Sequence, residues 1–99
     1  MARFDVYASE RPDLLLLDIQ SDALDRLDTR VVVPLMPAAG GPPAVARLHP
    51  VFEIEGRRML MATPLMSAVR VRELKRPVAN IARHRDEIVA AVDFLQQGF

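Results

Sequence analysis

The hydrophobic period of this chain changes once, close to Asn80, and that change limits the folds open to it. Before it, apolar and polar residues alternate over short stretches, as in half-buried strands. After it, Ile81, Ile88, Val92, Leu95 and Phe99 fall seven, four, three and four residues apart, one stripe of an α-helix. Roughly six short, largely antiparallel strands followed by one C-terminal helix is the expected architecture. Ninety-nine residues leave room for one domain, expected to span residues 1–99. With 51% hydrophobic residues but only 5% aromatic ones, the core must be aliphatic, with five methionines as adaptable fillers. That apolar share lies slightly above the usual ~45–50% and points mildly to surface shared with a second copy.

The strands read as follows. Residues 3–7 alternate, and residues 9–13, with Pro12 and three charges, form a turn or exposed loop. Residues 14–20 open with four leucines, a sign of burial on both faces. Residues 21–29 are polar, with Asp22, Asp25 and Asp28 three apart, and form a loop or a single helical turn. In the β-branched stretch 30–36, Pro34 cannot donate to a ladder, which places it at an edge, a bulge or a strand end. Residues 37–43, rich in Pro and Gly, read as an exposed loop. Residues 45–54 alternate around Pro50, Gly56 makes a tight turn, and residues 57–63 return as the hairpin partner. Residues 67–74 alternate again, Pro77 closes the strand region, and Asn80 or a neighbour caps the helix.

Charge and motif content narrow the function. Thirteen Lys and Arg balance thirteen Asp and Glu, which argues against nucleic-acid binding by bulk electrostatics. Arg57, Arg58, Arg70, Arg72, Lys75, Arg76, Arg83 and Arg85 nevertheless stand against Glu73 alone across residues 57–85. They form either a solvated face or a patch that receives an acidic peptide. No cysteine is present, which excludes disulfide and thiolate chemistry. The first residues do not resemble a signal peptide, and the longest apolar run is too short to span a bilayer, so a cytoplasmic protein with no membrane partner is expected. His49 and His84 lack partners at metal-ligand spacing. Asp18, Asp22, Asp25 and Asp28 lack the glycine and terminal Glu of a calcium loop and read as a solvated acidic loop. Gly40-Gly41 lacks the Lys and helix of a phosphate loop, and no serine sits in a nucleophile motif. Neither an enzyme nor a cofactor is expected. The helix that reaches Gln97-Gly98-Phe99 leaves one choice: Phe99 completes a core or belongs to a contact surface.

Phe4-Asp5-Val6-Tyr7, Leu17-Asp18-Ile19-Gln20-Ser21-Asp22, Arg30-Val31-Val32-Val33-Pro34-Leu35 and Leu48-His49-Pro50-Val51 occur in that order. Arg58-Met59-Leu60-Met61-Ala62-Thr63, Met66-Ser67-Ala68-Val69 and a helix ending in Gly98 and a bulky residue follow. Together these segments resemble the CcdB family, the toxin half of plasmid or chromosomal toxin–antitoxin modules. The resemblance implies an SH3-like, barrel-type fold with a main antiparallel sheet, a small second sheet and a C-terminal helix, assembled as a homodimer. It also implies a protein without catalysis that poisons DNA gyrase through its A subunit. A cognate CcdA-like antitoxin, whose disordered segment folds along the toxin, would neutralise it. Autoregulation of transcription and plasmid maintenance go with such modules, and any DNA contact would come through the antitoxin.

By the same resemblance the gyrase-binding residues are Ser21, Leu24, Gln97, Gly98 and Phe99, while none is assigned to the antitoxin. Family members typically end in Trp-Gly-Ile, so Gln97 replaces a tryptophan, Gln96 an aromatic residue and Ala23 an isoleucine. Two forms of this reading stand side by side. Phe99 and the loop around Ser21 compensate for the tryptophan, or gyrase binding is weakened and an antitoxin-binding, autoregulatory dimer remains. A plain regulatory binding module is a further class. A small-barrel nucleic-acid binder is disfavoured, because Phe4, Tyr7 and Phe52 are too scattered to act as stacking platforms.

Overall fold

Seven antiparallel strands and one helix build the computed structural model, which describes residues 1–38 and 45–98. The strands are β1 (Asp5–Ala8), β2 (Leu15–Asp18), β3 (Thr29–Pro37), β4 (Val51–Ile54), β5 (Arg57–Met61), β6 (Ser67–Arg70) and β7 (Pro77–Asn80). Helix α1 is Arg85–Gln97. The order is β4-β5-β3-β2-β1-β7, with β6 also paired to β3, and the sheet curls into a half-barrel. All strands join one hydrogen-bonded sheet, so no small second sheet is set apart from it among the described residues. Most of the loop expected at 37–43 lies outside the described residues; Pro37 itself is the last residue of β3.

Strand β3 has one partner on one edge and two on the other. Along the first edge Val32, Val33, Pro34 and Leu35 face Asp18, Leu17, Leu16 and Leu15 of β2. Along the second, Thr29 to Val32 pair with β6 and Leu35 to Pro37 with β5. Pro34 lies between those two partners, inside a central strand rather than at an edge, bulge or strand end. Its carbonyl accepts the Ala62 amide at 2.9 Å, but its ring nitrogen cannot return a bond. The β5 ladder therefore stops there, while towards β2 the proline occupies a position where no bond is required.

Other differences from the sequence expectation have local causes. Of residues 45–54 only Val51–Ile54 is strand. The Val45 carbonyl instead accepts from the amides of Leu48 and His49, both at 3.0 Å, in a turn that Pro50 follows. The strand expected at 67–74 ends at Arg70: the Val71 amide still reaches the Asp28 carbonyl at 2.8 Å, but the Val71 carbonyl accepts the Leu74 amide at 3.1 Å and a 3-10 turn at Val71–Glu73 replaces the ladder. Pro77 opens a strand instead of closing the region: β7 pairs with β1, with an irregularity between Val6 and Tyr7. This makes seven strands rather than six. The helix begins five residues later than Asn80, which does not cap it. Asn80 Oδ1 accepts the Ala82 amide at 2.9 Å and so starts a separate 3-10 turn, Ala82–His84. The β4–β5 hairpin follows expectation: Glu55 and Gly56 both have positive φ, 51° and 78°, the type I′ geometry that matches strand twist.

The two faces of the sheet have different chemistry. Val6, Leu17 and Val33 are register partners on one face. With Leu15, Leu35, Met59, Met61, Phe52 and Ile54 they meet Ile81, Ile88 and Ala91 in the core. Burial of each large aliphatic side chain there stabilises the fold by about 1.5–3 kcal/mol. The last turn of α1 does not take part: Ile88 and Ala91 are buried and Val89 and Val92 pack against the core, but Leu95 is 38% exposed. On the opposite face Tyr7, Asp18, Arg30 and Val32 are also buried. Asp18, expected in a solvated acidic loop, is instead completely enclosed. Arg30 Nε donates to Asp18 Oδ2 at 2.8 Å and Nη2 lies 2.7 Å from the same oxygen, with both side chains fully buried. The Gln20 amide supplies Asp18 Oδ1 at 3.0 Å. No described helix is long and apolar enough to cross a membrane.

Removing one member of this pair leaves an uncompensated charge in the interior. Arg30→Met or Asp18→Asn should each lower unfolding free energy by about 3–5 kcal/mol. The double variant Asp18→Leu/Arg30→Met should recover most of that loss. Urea denaturation of the three variants checks the ordering.

Candidate interaction site

The sequence-predicted contact residues sit on two elements. The first is the loop between β2 and β3, where Ser21 caps a 3-10 turn at Asp22–Leu24 by accepting the Ala23 amide on Oγ at 3.2 Å. A serine in this position is the expected local solution, since its short hydroxyl can satisfy a free amide at a helix start. Ser21 and Leu24 are both exposed, Leu24 by 51%. Leu27, not singled out from sequence, is 50% exposed beside it. The available signal was a second large apolar residue in an otherwise polar loop, three positions after the first.

Interior groups hold this loop from beneath. The Arg3 amide donates to Asp22 Oδ1 at 2.8 Å, and Arg3 Nε donates to the Ile19 carbonyl at 3.2 Å. The Arg3 guanidinium also lies 4.7 Å from the centre of the Phe4 ring. Gln20, almost fully buried, donates from Nε2 to the Leu24 carbonyl at 2.8 Å and accepts the Val31 amide on Oε1 at 3.1 Å. Phe4 is buried with a φ of 73°, a conformation that costs a bulky residue about 1–2 kcal/mol. It is held there by bonds from its amide to the Asp18 carbonyl (2.7 Å) and from the Ile81 amide to its own carbonyl (3.0 Å).

The second element is the end of α1. Gln96, Gln97 and Gly98 are exposed, and Phe99 lies outside the described residues. Gly98 adopts a left-handed conformation with φ of 80°, and its amide closes on the Phe94 carbonyl at 2.8 Å. A Cβ on Gly98 would meet nothing within 4 Å, so glycine is required for the backbone angle rather than for space. Phe94 is half-buried beneath the Arg47 guanidinium, 4.6 Å from its ring centre. The helix packs on the turns Thr63–Leu65 and Ala82–His84, and no extended packing joins it to the Ser21–Leu24 loop. The two groups of contact residues are thus positioned by different neighbours within the chain.

The remaining candidates resolve into packing or solvated roles. His84 stacks on Phe52 at 4.9 Å and faces Glu87 at 3.4 Å, while His49 Nδ1 lies 3.1 Å from the Val45 carbonyl. The eight cations between 57 and 85 are all exposed and spread over β5, β6, the segments flanking β7 and the start of α1. A groove of about 310 Å³ between the β1–β2 turn and Arg57 and Arg76 also carries Glu10 and Glu55, so it is of mixed charge. Among the described residues no three His, Asp or Glu side chains converge on a metal-sized site.

Three titratable groups on the buried polar face are shifted. Burial raises the Asp18 carboxyl, and the bonds from Gln20 and Arg30 oppose that without cancelling it. At Asp5 burial also raises, but hydrogen bonds from Asn80, the Ala2 amide and Tyr7 outweigh it and hold the carboxyl below its ordinary range. Tyr7, whose hydroxyl donates to Asp5 Oδ2 at 3.1 Å, is pushed up to about 12 by burial and then by the Asp5 charge.

These observations describe a β-rich domain that exposes Ser21 and Leu24 on one segment and Gln97 and Gly98 on another. A family model described as "CcdB protein" matches residues 3–98, nearly the whole chain. The chain belongs to the CcdB family, whose members are toxins of toxin–antitoxin modules.

Tyr7 is the chain's one tyrosine and no tryptophan is present, so ultraviolet absorbance reports it alone. Its ionisation in the folded protein should have a midpoint of about 12, returning to the ordinary 10.0 in denaturant. Because the folded pKa is the higher, the stability that Tyr7 contributes is complete below pH 10 and is lost as pH rises towards 12.

Proposed function

We propose that this protein is the toxin of a type II toxin–antitoxin module, a single domain over residues 1–99 that binds the gyrase A subunit as a homodimer. Binding would stabilise the cleaved DNA complex and stop replication, with no chemistry performed by the toxin itself. The family match over residues 3–98 carries this reading. The exposed helix end and the exposed Leu24 loop support it, since both are free to meet a partner. Half-buried Leu16, Pro34, Met36 and Leu60 are register neighbours on the face opposite α1 and support burial against a second copy. A cognate CcdA-like antitoxin would neutralise the toxin in the cytoplasm, its acidic segment drawn to the exposed cations, and would supply the DNA contact for autoregulation.

One observation favours a second reading inside the same family. Gln97 is exposed at the helix end where the resemblance places a tryptophan. Tryptophan anchors are typical interface hot spots, worth about 2–4 kcal/mol on truncation. With a glutamine there, gyrase binding is weakened and the dimer serves mainly its antitoxin and autoregulation.

Inducing the protein in cells with wild-type gyrase should arrest growth with DNA damage; healthy growth at confirmed soluble expression rejects the poison reading. Gln97→Trp should tighten binding to a purified gyrase A fragment by on the order of a hundredfold. No gain would remove the missing anchor as an explanation. Mass in solution should correspond to two chains at micromolar concentration, and a monomer contradicts the assembly.

A further inference from the structure

We infer that Gln20 is a positioning residue, which holds the exposed leucine pair Leu24 and Leu27 in one fixed presentation to a partner surface. The inference rests on the toxin reading for the partner's identity, but its structural part stands on this chain alone. Two half-exposed leucines on a short loop would ordinarily move with it, and a partner would have to order them on binding. Here the Leu24 carbonyl accepts Gln20 Nε2 at 2.8 Å and also the Leu27 amide at 3.3 Å, so one oxygen ties both leucines to one buried side chain. The oxygen of the same carboxamide accepts the Val31 amide of β3 at 3.1 Å, and the Gln20 backbone amide donates to Asp18 Oδ1 at 3.0 Å. Asp18 in turn pairs with Arg30 at 2.7 Å. A continuous line of hydrogen bonds therefore runs from the buried ion pair to the exposed leucines. Arg3 fixes the other side of the loop through Asp22. Asp25 and Asp28 flank the leucines and, with the exposed Arg26 between them, leave the segment net acidic; neither carboxylate has an ion-pair partner among the described residues. The surface that fits is an apolar pocket rimmed by cations, on a protein that receives the loop as a preformed knob.

Gln20→Ala, measured by amide exchange, thermal unfolding and binding to a purified gyrase A fragment, tests this. Exchange at residues 23–27 should accelerate about tenfold or more relative to the core amides of β2 and β3, which report global opening. Affinity for the fragment should fall about five- to tenfold, as loss of the two side-chain hydrogen bonds that tie the loop to β3 would produce. Unchanged exchange at the loop overturns the proposal, and so does faster exchange with undiminished binding. A purely structural role would lower the melting temperature and raise exchange across the sheet without singling out the loop. Should Gln20→Ala fail to fold, Gln20→Met keeps the volume without the donor and is held to the same outcomes. Failure of the wild type to bind the fragment rejects the gyrase reading instead, and loop exchange then decides alone whether Gln20 holds the leucines.

Discussion

The enclosed pair of Asp18 and Arg30 is the interaction on which the rest of the structure depends. It joins β2 to β3 on the face that α1 does not cover, so that face is specified by charge where the other is specified by aliphatic packing. Ion pairs in such places add little net stability, because desolvation consumes most of the attraction. Their effect is selective: any arrangement that separates the two charges is heavily penalised. Among the described residues Nη1 of Arg30 has no partner and Nη2 is close to Asp18 without hydrogen-bond geometry, which fits a pair retained for specificity rather than strength. The same pair organises its surroundings, since the Gln20 backbone amide is directed at the Asp18 carboxylate.

This arrangement separates scaffold from contact. The aliphatic core and the polar face together stabilise a curled sheet, and the exposed side chains of Leu24 and Gln97 lie outside that packing. Substituting the Leu24 or Gln97 side chain changes the surface without opening the interior, whereas Ser21 and Gly98 also serve the backbone as a cap and a left-handed turn. On such a scaffold an exposed side chain such as Gln97 can be exchanged while the fold is retained.

Much of the fold was legible because period two and period 3.6 are local signals. The leucines of β2, the valines of β3, the hairpin at Gly56 and the Ile88 stripe all follow from them. What escaped depends on pairing between distant segments. Alternation cannot tell a solvated polar face from a buried one, so Asp18 read as exposed until Arg30 was placed beside it. Prolines misled twice, at Pro34 and Pro77, because the cost of a missing amide depends on which neighbour would have received it. Ile81 fitted the helical stripe by spacing, yet it precedes a 3-10 turn and reaches the core from the end of β7. Of the site, Ser21 and Leu24 came from resemblance, while Gln20 left no trace in sequence: a buried glutamine and a solvated one look alike.

Pro34 has a consequence for how the chain finds this sheet. The β4–β5 hairpin could in principle slide along β3 by two residues and keep every apolar side chain on its correct face, since the pleat repeats at that interval. Such a slide towards Val32 would carry the ladder across Pro34, which has no proton to give. The native register stops where that proton is missing, at the Ala62 amide. One absent hydrogen thus acts as an end-stop for the hairpin, leaving the adjoining edge of β3 to β6.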